Sequence, residues 1–384
     1  MLRAVLKPGK EKKVKNFYPT VFADELLETP KAAGVTAVYS EKGEPLGVGY
    51  YAPKLRAALR LYRFALGPLD AAFFHARFER ALKKRAGLGR HYRLVHAEAD
   101  GLPGLVVDRF DDLLLVQVRT LSAEAMKDRW LEPLKAITGA RAALAVDTEA
   151  RLKEGLPQSA GPLWGAVPEL LRVEEDGLFF EIPLKLAQTK GFYLDQRENR
   201  RLFEAELEPG MRVLDVFSHV GGFALRAARK GARALAVDKD LAALAVLDAT
   251  ARRHGLSVDI RQGEALSVLK ELATSGRRFE RIVLDPPALA KSPRDVPRAK
   301  RFFVDLLREA ARMLEAGGQI WLSSCSYYLK EADLLEAARR AGADTRTRFS
   351  VVRITHQPKD HPWILQVPET LYLKTLVLEA DPLE

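Results

Sequence analysis

The chain of 384 residues contains a single cysteine, Cys325, at the end of the apolar run Gln319-Ile-Trp-Leu-Ser-Ser-Cys325. A second run, Arg281-Ile-Val-Leu-Asp285, ends in a carboxylate followed by Pro286 and Pro287, which hold the next residues out of helix and sheet geometry. Read as neighbouring strands of a parallel sheet, the two runs bring a thiol and an acid to the sheet edge where such folds bind ligands. A thiolate that adds to C6 of a pyrimidine makes C5 nucleophilic enough to take a methyl group, which the unaided base cannot do. Cys325 is the expected nucleophile. Asp285 can serve N3 and the N4 amine of a cytosine as the thiol adds, combining base recognition with acid assistance. A buried inert cysteine is the structural alternative. A methyltransferase acting on an exocyclic amine needs no thiol and is expected to carry Asn-Pro-Pro-aromatic, whereas Ala288 follows the prolines here.

A cofactor site is expected at the stretch Asp215-Val-Phe-Ser-His-Val-Gly221-Gly222, an acidic strand end leading through two glycines into a helix. Phe217 and Ser218 belong to that turn. The G-x-G-x-x-G fingerprint and the P-loop are both absent, so NAD and ATP lose ground. The following run ends at Asp238, placed to accept hydrogen bonds from ribose hydroxyls. An acid on each side of the turn suits a cationic amino-acid moiety better than a pyrophosphate, which favours S-adenosylmethionine. Glu264 is a third acid that can meet the adenine. Aspartates at strand ends also cap helices, and Glu264 can be read as an N-terminal helix acid.

These residues need elements to position them. From about residue 195 strands are predicted at Arg212 to Val216, Arg233 to Asp238, Asp259 to Gln262, Arg281 to Asp285 and Gln319 to Ser324, separated by amphipathic helices. That alternation argues an α/β, doubly wound parallel sheet. Residues 1–67 read as short strands at Val35 to Tyr39, Leu46 to Tyr51 and Ala58 to Phe64. Gly67-Pro68 marks a boundary, followed by a helix from Leu69 to Lys84 with Leu69, Phe73, Ala76 and Arg80 at helical spacing. Strands at Tyr92 to Ala97, Gly104 to Phe110 and Leu113 to Val118, a helix opened by Ser122 as N-cap and a strand at Ala142 to Asp147 then make a β-β-α-β unit of α+β type. A turn-rich loop from Glu154 and strands around Val173 and Leu178 to Ile182 place the second boundary near residue 170. The expected division is 1–67, 68–170 and 171–384.

Composition limits the classes. Hydrophobic residues at 47% and charged residues at 29% describe a globular chain. The net charge of +10 favours a polyanionic partner. The N-terminus, MLRAVLKPGKEKKVK, lacks the apolar stretch of a signal peptide, and no segment reaches the ~18 apolar residues of a membrane span, so a cytoplasmic location and no membrane partner are expected. One cysteine excludes an internal disulfide and a cysteine-rich zinc site, and no metal is expected. Asn16 and Asn199 are the only asparagines and arginine outnumbers lysine, a pattern compatible with a thermophile.

Taken together, five segments resemble the bacterial large-subunit ribosomal RNA 5-methylcytosine methyltransferases of the RlmI and RlmO type over essentially the whole chain: Gln188-Thr-Lys-Gly-Phe-Tyr-Leu-Asp-Gln-Arg-Glu-Asn-Arg200, Asp215 to Gly222, Asp285-Pro-Pro-Ala-Leu-Ala-Lys-Ser292, Ser323-Ser-Cys-Ser326 and Asp360-His-Pro362. The resemblance implies an N-terminal PUA domain, a small RNA-binding β-barrel, then a central α+β domain and a Rossmann-like methyltransferase domain. It implies S-adenosylmethionine as cofactor, with Gln196 and Arg197 reaching it, and 23S ribosomal RNA as partner. It also assigns the thiol after the fifth strand as nucleophile, while Ala288 and the single cysteine rule out a two-thiol version. Asn16-Phe-Tyr-Pro-Thr-Val-Phe22 matches the family's usual His-Pro-Trp-Val-Phe only in part. Tyr327, Tyr328 and Phe192 are candidates for stacking a flipped base, with core packing the alternative. The loop Lys291 to Arg301 could grip phosphates. The rival readings are a 5-methyluridine methyltransferase and a noncatalytic RNA-binding protein, and a homodimer is compatible with all of them.

Overall fold

A computed structural model describes residues 1–146 and 148–381, with side chains for all of these except Thr189 and Lys190. The chain divides into two units, one of Met1–Val173, Pro183–Leu194 and Lys359–Thr370, the other of Glu174–Ile182, Asp195–Pro358 and the segment from Leu371 on.

In the first unit a six-stranded sheet is built from residues 2–63. The three predicted strands are present, as Gly34–Tyr39, Pro45–Tyr51 and Leu59–Arg63. Leu2–Leu6 is a further strand, paired in parallel with Gly34–Tyr39 and antiparallel to Leu26–Glu28. A second, five-stranded sheet runs in the order Gly161–Trp164, Ala142–Ala145, Leu113–Val118, Leu105–Phe110, His91–His96. Asp147, the predicted end of one of these strands, lies outside the described residues. Helices Ala71–Lys84 and Lys127–Thr138 supply Phe74, Phe78, Trp130 and Leu134 to a core that also takes Val48 and Tyr62 from the first sheet.

Two local expectations are corrected. The helix begins at Ala71 behind Asp70, whose carboxylate caps it at Phe73 N, and its buried positions are Phe74, Phe78 and Ala81 rather than Ala76 and Arg80, which are exposed. Burial follows the rings, one position on from the expected register. Thr120, not Ser122, is the N-cap of the next helix; Ser122 is buried and shares hydrogen bonds with Thr120 and Tyr62.

The second unit carries a seven-stranded sheet. Its strands are β1 (Arg212–Val216), β2 (Arg233–Asp238), β3 (Val258–Gln262), β4 (Phe279–Leu284), β5 (Leu314–Ser324), β6 (Arg348–His356) and β7 (Lys374–Asp381), in the order β3-β2-β1-β4-β5-β7-β6. β1 to β5 are parallel, as expected for β1, β2, β4 and β5 from their apolar runs, with the polar β3 at the sheet edge. β6 and β7, absent from the expected set, are antiparallel, so the sheet is mixed rather than wholly parallel. The helices are α1 (Arg197–Ala205), α2 (Gly222–Arg229), α3 (Leu241–Arg253), α4 (Ala265–Thr274), α5 (Val296–Met313) and α6 (Glu331–Thr345). One face buries Ile282, Leu284, Phe303 and Leu306. The other buries Phe203, Phe223, Val283 and Trp321, with the Phe203 and Trp321 rings edge to face at 5.4 Å. Each such side chain contributes about 1.5–3 kcal/mol of burial energy, which holds the carboxyl ends of β1, β2, β4 and β5 in one row.

Candidate active site

Asp215 is the penultimate residue of β1, and after Val216 the chain turns sharply into α2. Phe217, His219 and Gly221 all have positive φ, at 65°, 51° and 82°. Left-handed backbone at two residues with side chains is costly and marks a site the surroundings must enforce. At Gly221 an added Cβ would lie 2.5 Å from Leu247 Cγ, so only glycine lets the turn close on α3. Asp215 Oδ2 accepts from Ala224 N at 3.0 Å in the first turn of α2. Asp238, at the end of β2, spans the same turn, accepting from His219 N at 2.8 Å and from Asp240 N at 2.9 Å. Both aspartates therefore do cap backbone, yet a carboxylate has lone pairs to spare after two such bonds.

Burial, and then the neighbouring Asp285 and Asp238, push the Asp215 carboxyl up to about 7. A buried acid facing other acids is a place where a positive ligand group is favoured. Ser218 Oγ, also buried in this turn, has no hydrogen-bond partner among the described residues. The residues thus suit a cationic amino acid joined to a nucleoside. Glu264 is exposed at the N-terminus of α4 and pairs with Lys239 at 3.3 Å.

Asp285 follows β4 and Cys325 follows β5, strands that pair in parallel up to Leu284 and Leu322. Asp285 is pushed up to about 7 by burial and by Asp195, against the pull of Gln196 and Arg200. Cys325 is half-buried, and burial followed by Asp285 and Asp195 pushes its thiol up to about 12. The acid and the thiol thus stand at the carboxyl ends of adjacent strands. Ser326 ties the two loops together, its Oγ accepting from Leu289 N at 3.0 Å and Ala290 N at 3.1 Å.

Several members of the site lay beyond sequence reasoning. Lys374, the first residue of β7, stands opposite Ser324 in the sheet and is 4% exposed. Its Nζ donates to Ser326 O at 2.6 Å, and among the described residues no carboxylate lies within ion-pair distance. Burial, then Lys330, lowers its pKa to about 8, while Cys325, Glu331 and Asp333 act the other way. Asp195, held by the Tyr372 hydroxyl at 2.7 Å, is the acid that acts on Asp285. Asn199 knits α1 to the sheet, donating to Gln196 Oε1 at 2.7 Å and Thr375 Oγ1 at 3.0 Å.

Of the residues expected at the cofactor, Gln196 is buried beside Asp285. Arg197 is buried with its Nε 3.5 Å from Glu175, which Arg200 holds bidentately at 2.6 and 2.8 Å. The expected stacking residues divide. Tyr327 and Tyr328 meet edge to face at 5.3 Å, with Lys330 over the Tyr327 ring at 3.7 Å. Phe192 is buried in the first unit, as the core-packing alternative has it. The Lys291 to Arg301 loop forms the start of α5, where Asp295 accepts from Lys291 N and Ser292 N, and Lys300 pairs with Asp333 at 2.9 Å. Among the described residues no acidic, histidine and cysteine cluster could hold a metal ion, and no helix is long and apolar enough to cross a membrane.

Comparisons with known proteins add to this geometry. Residues 4–64 match the model of a PUA-like domain, and residues 200–346 match that of the methyltransferase small domain. The chain is 33% identical to ribosomal RNA large subunit methyltransferase I of Shewanella denitrificans over 98% of each chain. It is 31% identical to the protein of the same name from Vibrio cholerae over 95% of this chain and 96% of the relative. Among solved structures, one from Streptococcus mutans described as a SAM-dependent methyltransferase superposes with a TM-score of 0.84, at 19% identity, over 99% of this chain and 100% of that one. SMU.776, described as a methyltransferase complexed with SAH, gives a TM-score of 0.85 over the same shares, also at 19% identity.

Proposed function

The chain belongs to the ribosomal RNA large subunit methyltransferase I family, and we propose that it methylates C5 of a cytosine in 23S ribosomal RNA through a covalent bond between Cys325 and C6 of the base. The observation that carries this reading is the placement of Asp285 and Cys325 just past the ends of neighbouring strands, one strand from the acid-lined turn of Asp215 to Gly222. S-adenosylmethionine is the cofactor, and when bound it supplies an electrophilic methyl group.

Asp215, Phe217, Ser218, Gly221, Gly222 and Asp238 form the turn that holds it, with Gln196 and Arg197 behind and Glu264 at the outer edge. Asp215 offers its carboxyl to the cationic moiety and Asp238 its remaining lone pairs to the ribose. An Asp285 carboxyl raised to about 7 is partly protonated at neutral pH, so it can donate to N3 of cytosine. As it does so, the Cys325 sulfur, its own proton passed to water, adds to C6 as the thiolate and the C5–C6 π pair becomes available at C5. Lys374 is the cation that favours the thiolate during this step, since among the described residues no carboxylate lies within ion-pair distance of it. Once C5 carries the methyl group, loss of the C5 proton and departure of sulfur from C6 restore the aromatic ring and the thiol.

Ribosomal RNA containing 5-fluorocytidine tests the scheme, because fluorine at C5 blocks the elimination. With S-adenosylmethionine present, a stable protein–RNA adduct is expected for the native chain and none for Cys325→Ala. Absence of an adduct with several RNA preparations, in the face of measurable methylation, would sink the covalent route.

A further inference from the structure

Several buried or part-buried arginines of the first unit are matched by acids: Arg60 with Glu154, Arg85 with Asp100, Arg93 with Asp108 and Arg151 with Glu124. Arg63, Arg77 and Arg80 are not. These three, with Phe64, Phe73 and Ala76, line an open cleft of about 410 Å³ beside the last strand of the six-stranded sheet and the helix Ala71–Lys84. Among the described residues none of the three has a carboxylate within ion-pair distance. Arg63 donates only to Pro68 O at 3.1 Å, and Arg77 only to Tyr62 O at 3.2 Å. The buried Nε of Arg77 has no partner.

The cleft is also built to hold these cations in place. The Arg63 and Arg77 guanidiniums lie 5.3 and 5.1 Å from the centroid of the Phe73 ring. Two glycines leave them room: a Cβ at Gly67 would fall 2.9 Å from Arg63 Cζ, and one at Gly101 would fall 3.1 Å from an Arg77 terminal nitrogen. Burial, then the adjacent Arg80 and Arg63 charges, lower the Arg77 pKa, the mark of like charges gathered without a counter-ion. Two positioned guanidiniums with free donors and the exposed Arg80 beside them, next to aromatic surface, match the oxygens of a phosphodiester and the face of an adjoining base.

We propose that the Arg63–Arg77–Arg80 cleft binds the backbone of a single-stranded segment of the RNA substrate, a docking point separate from the residues that act on the target base. The proposal rests on the reading of the chain as an RNA methyltransferase. Its test is the affinity of the full-length protein for a labelled single-stranded oligoribonucleotide at several salt concentrations, for the native chain and for Arg63→Gln/Arg77→Gln/Arg80→Gln. The variant is expected to bind at least tenfold more weakly. Its slope of log affinity against log salt should be shallower by about two, since each phosphate contact on a single strand carries about 0.7. Calorimetric binding of S-adenosylmethionine, which needs only the second unit's turn, should be unchanged.

Equal RNA affinity and slope in variant and native chain would overturn the cleft while leaving the methyltransferase reading intact. Failure of the native chain to bind any RNA would overturn both. Displacement of RNA from the native chain by millimolar inorganic phosphate would also overturn the proposal, reassigning the cleft to a small anion. Should the triple variant lose cofactor binding as well, Arg80→Gln carries the test. Arg80 is exposed and its loss should weaken RNA binding about threefold, and no change there counts against the cleft.

Discussion

Cys325 is a poor nucleophile until something changes its surroundings. With its thiol pushed up to about 12, only about one molecule in ten thousand carries a thiolate at pH 8. The sign of the effect gives a prediction. Alkylation of Cys325 by iodoacetamide should rise roughly tenfold per pH unit from 7 to 10 without levelling off. Asp285→Asn removes one of the charges that hold the proton on and should speed the reaction, while Lys374→Met should slow it. A plateau near pH 8 or 9, measured by mass spectrometry of the modified chain, would show an ordinary thiol. Asp215, Asp285 and Cys325 could all be placed from the sequence because each lies within one residue of the end of a parallel strand, so its position follows from counting strands. Lys374 could not. It joins the thiol through a strand that arrives antiparallel, 49 residues further along, and nothing in Leu373-Lys374-Thr375 announces the neighbour it will have.

Elements of the second unit are clamped by charge as well as by apolar packing. The segment Glu174–Ile182 presents Glu175 to Arg200 of α1 and to Arg226 of α2, with Arg197 beside them. Although burial alone would raise it, Arg200, Arg226 and Arg197 hold Glu175 down to about 2. Removing one partner of a buried pair leaves the other charge stranded, which costs more than the pair contributes. Glu175→Ala should therefore destabilise the unit by about 3–5 kcal/mol in urea denaturation; a loss below about 1 kcal/mol would mean the arginines find water instead. Arg200 also fills the space beside the glycine turn, since a Cβ at Gly222 would come within 2.8 Å of its side chain. At this scale the sequence is legible where apolar periodicity is strong, as in β1, β2, β4 and β5. It is opaque where a strand is short or late, as for Leu2–Leu6, β6 and β7, whose burial depends on partners far away in the chain.

For the molecule as a whole, the path of the chain matters more than its charge. After β6 ends at His356, the chain contributes Lys359–Thr370 to the first unit and only then forms β7. Within the first unit Asp360 is 1% exposed; its carboxylate accepts from Arg93 N at 2.9 Å and its carbonyl from Arg85 at 2.9 Å. Asp360→Ala should lower the stability of that unit by about 1–3 kcal/mol, the cost of a buried donor left without its acceptor. Hydrogen exchange at Arg93 would report it, while cofactor affinity in the second unit stays unchanged. Faster exchange confined to the second unit would contradict this. The resemblance at Asp360-His-Pro362 marked the segment in the sequence, but not its task, because a buried acid and a catalytic one leave the same trace in one chain.

The same path imposes a timetable on the ribosome that makes the protein. β7 is the last of the described elements to leave the exit tunnel, yet it lies between β5 and β6. Until it emerges, β5 carries an open edge of unpaired amides and carbonyls, a template for any other strand. A nascent chain can thus have Cys325, Asp285 and the glycine turn in place while still lacking Lys374. A chain terminated before that residue would have a complete-looking motif set, an exposed strand edge and a thiol that has not met its cation.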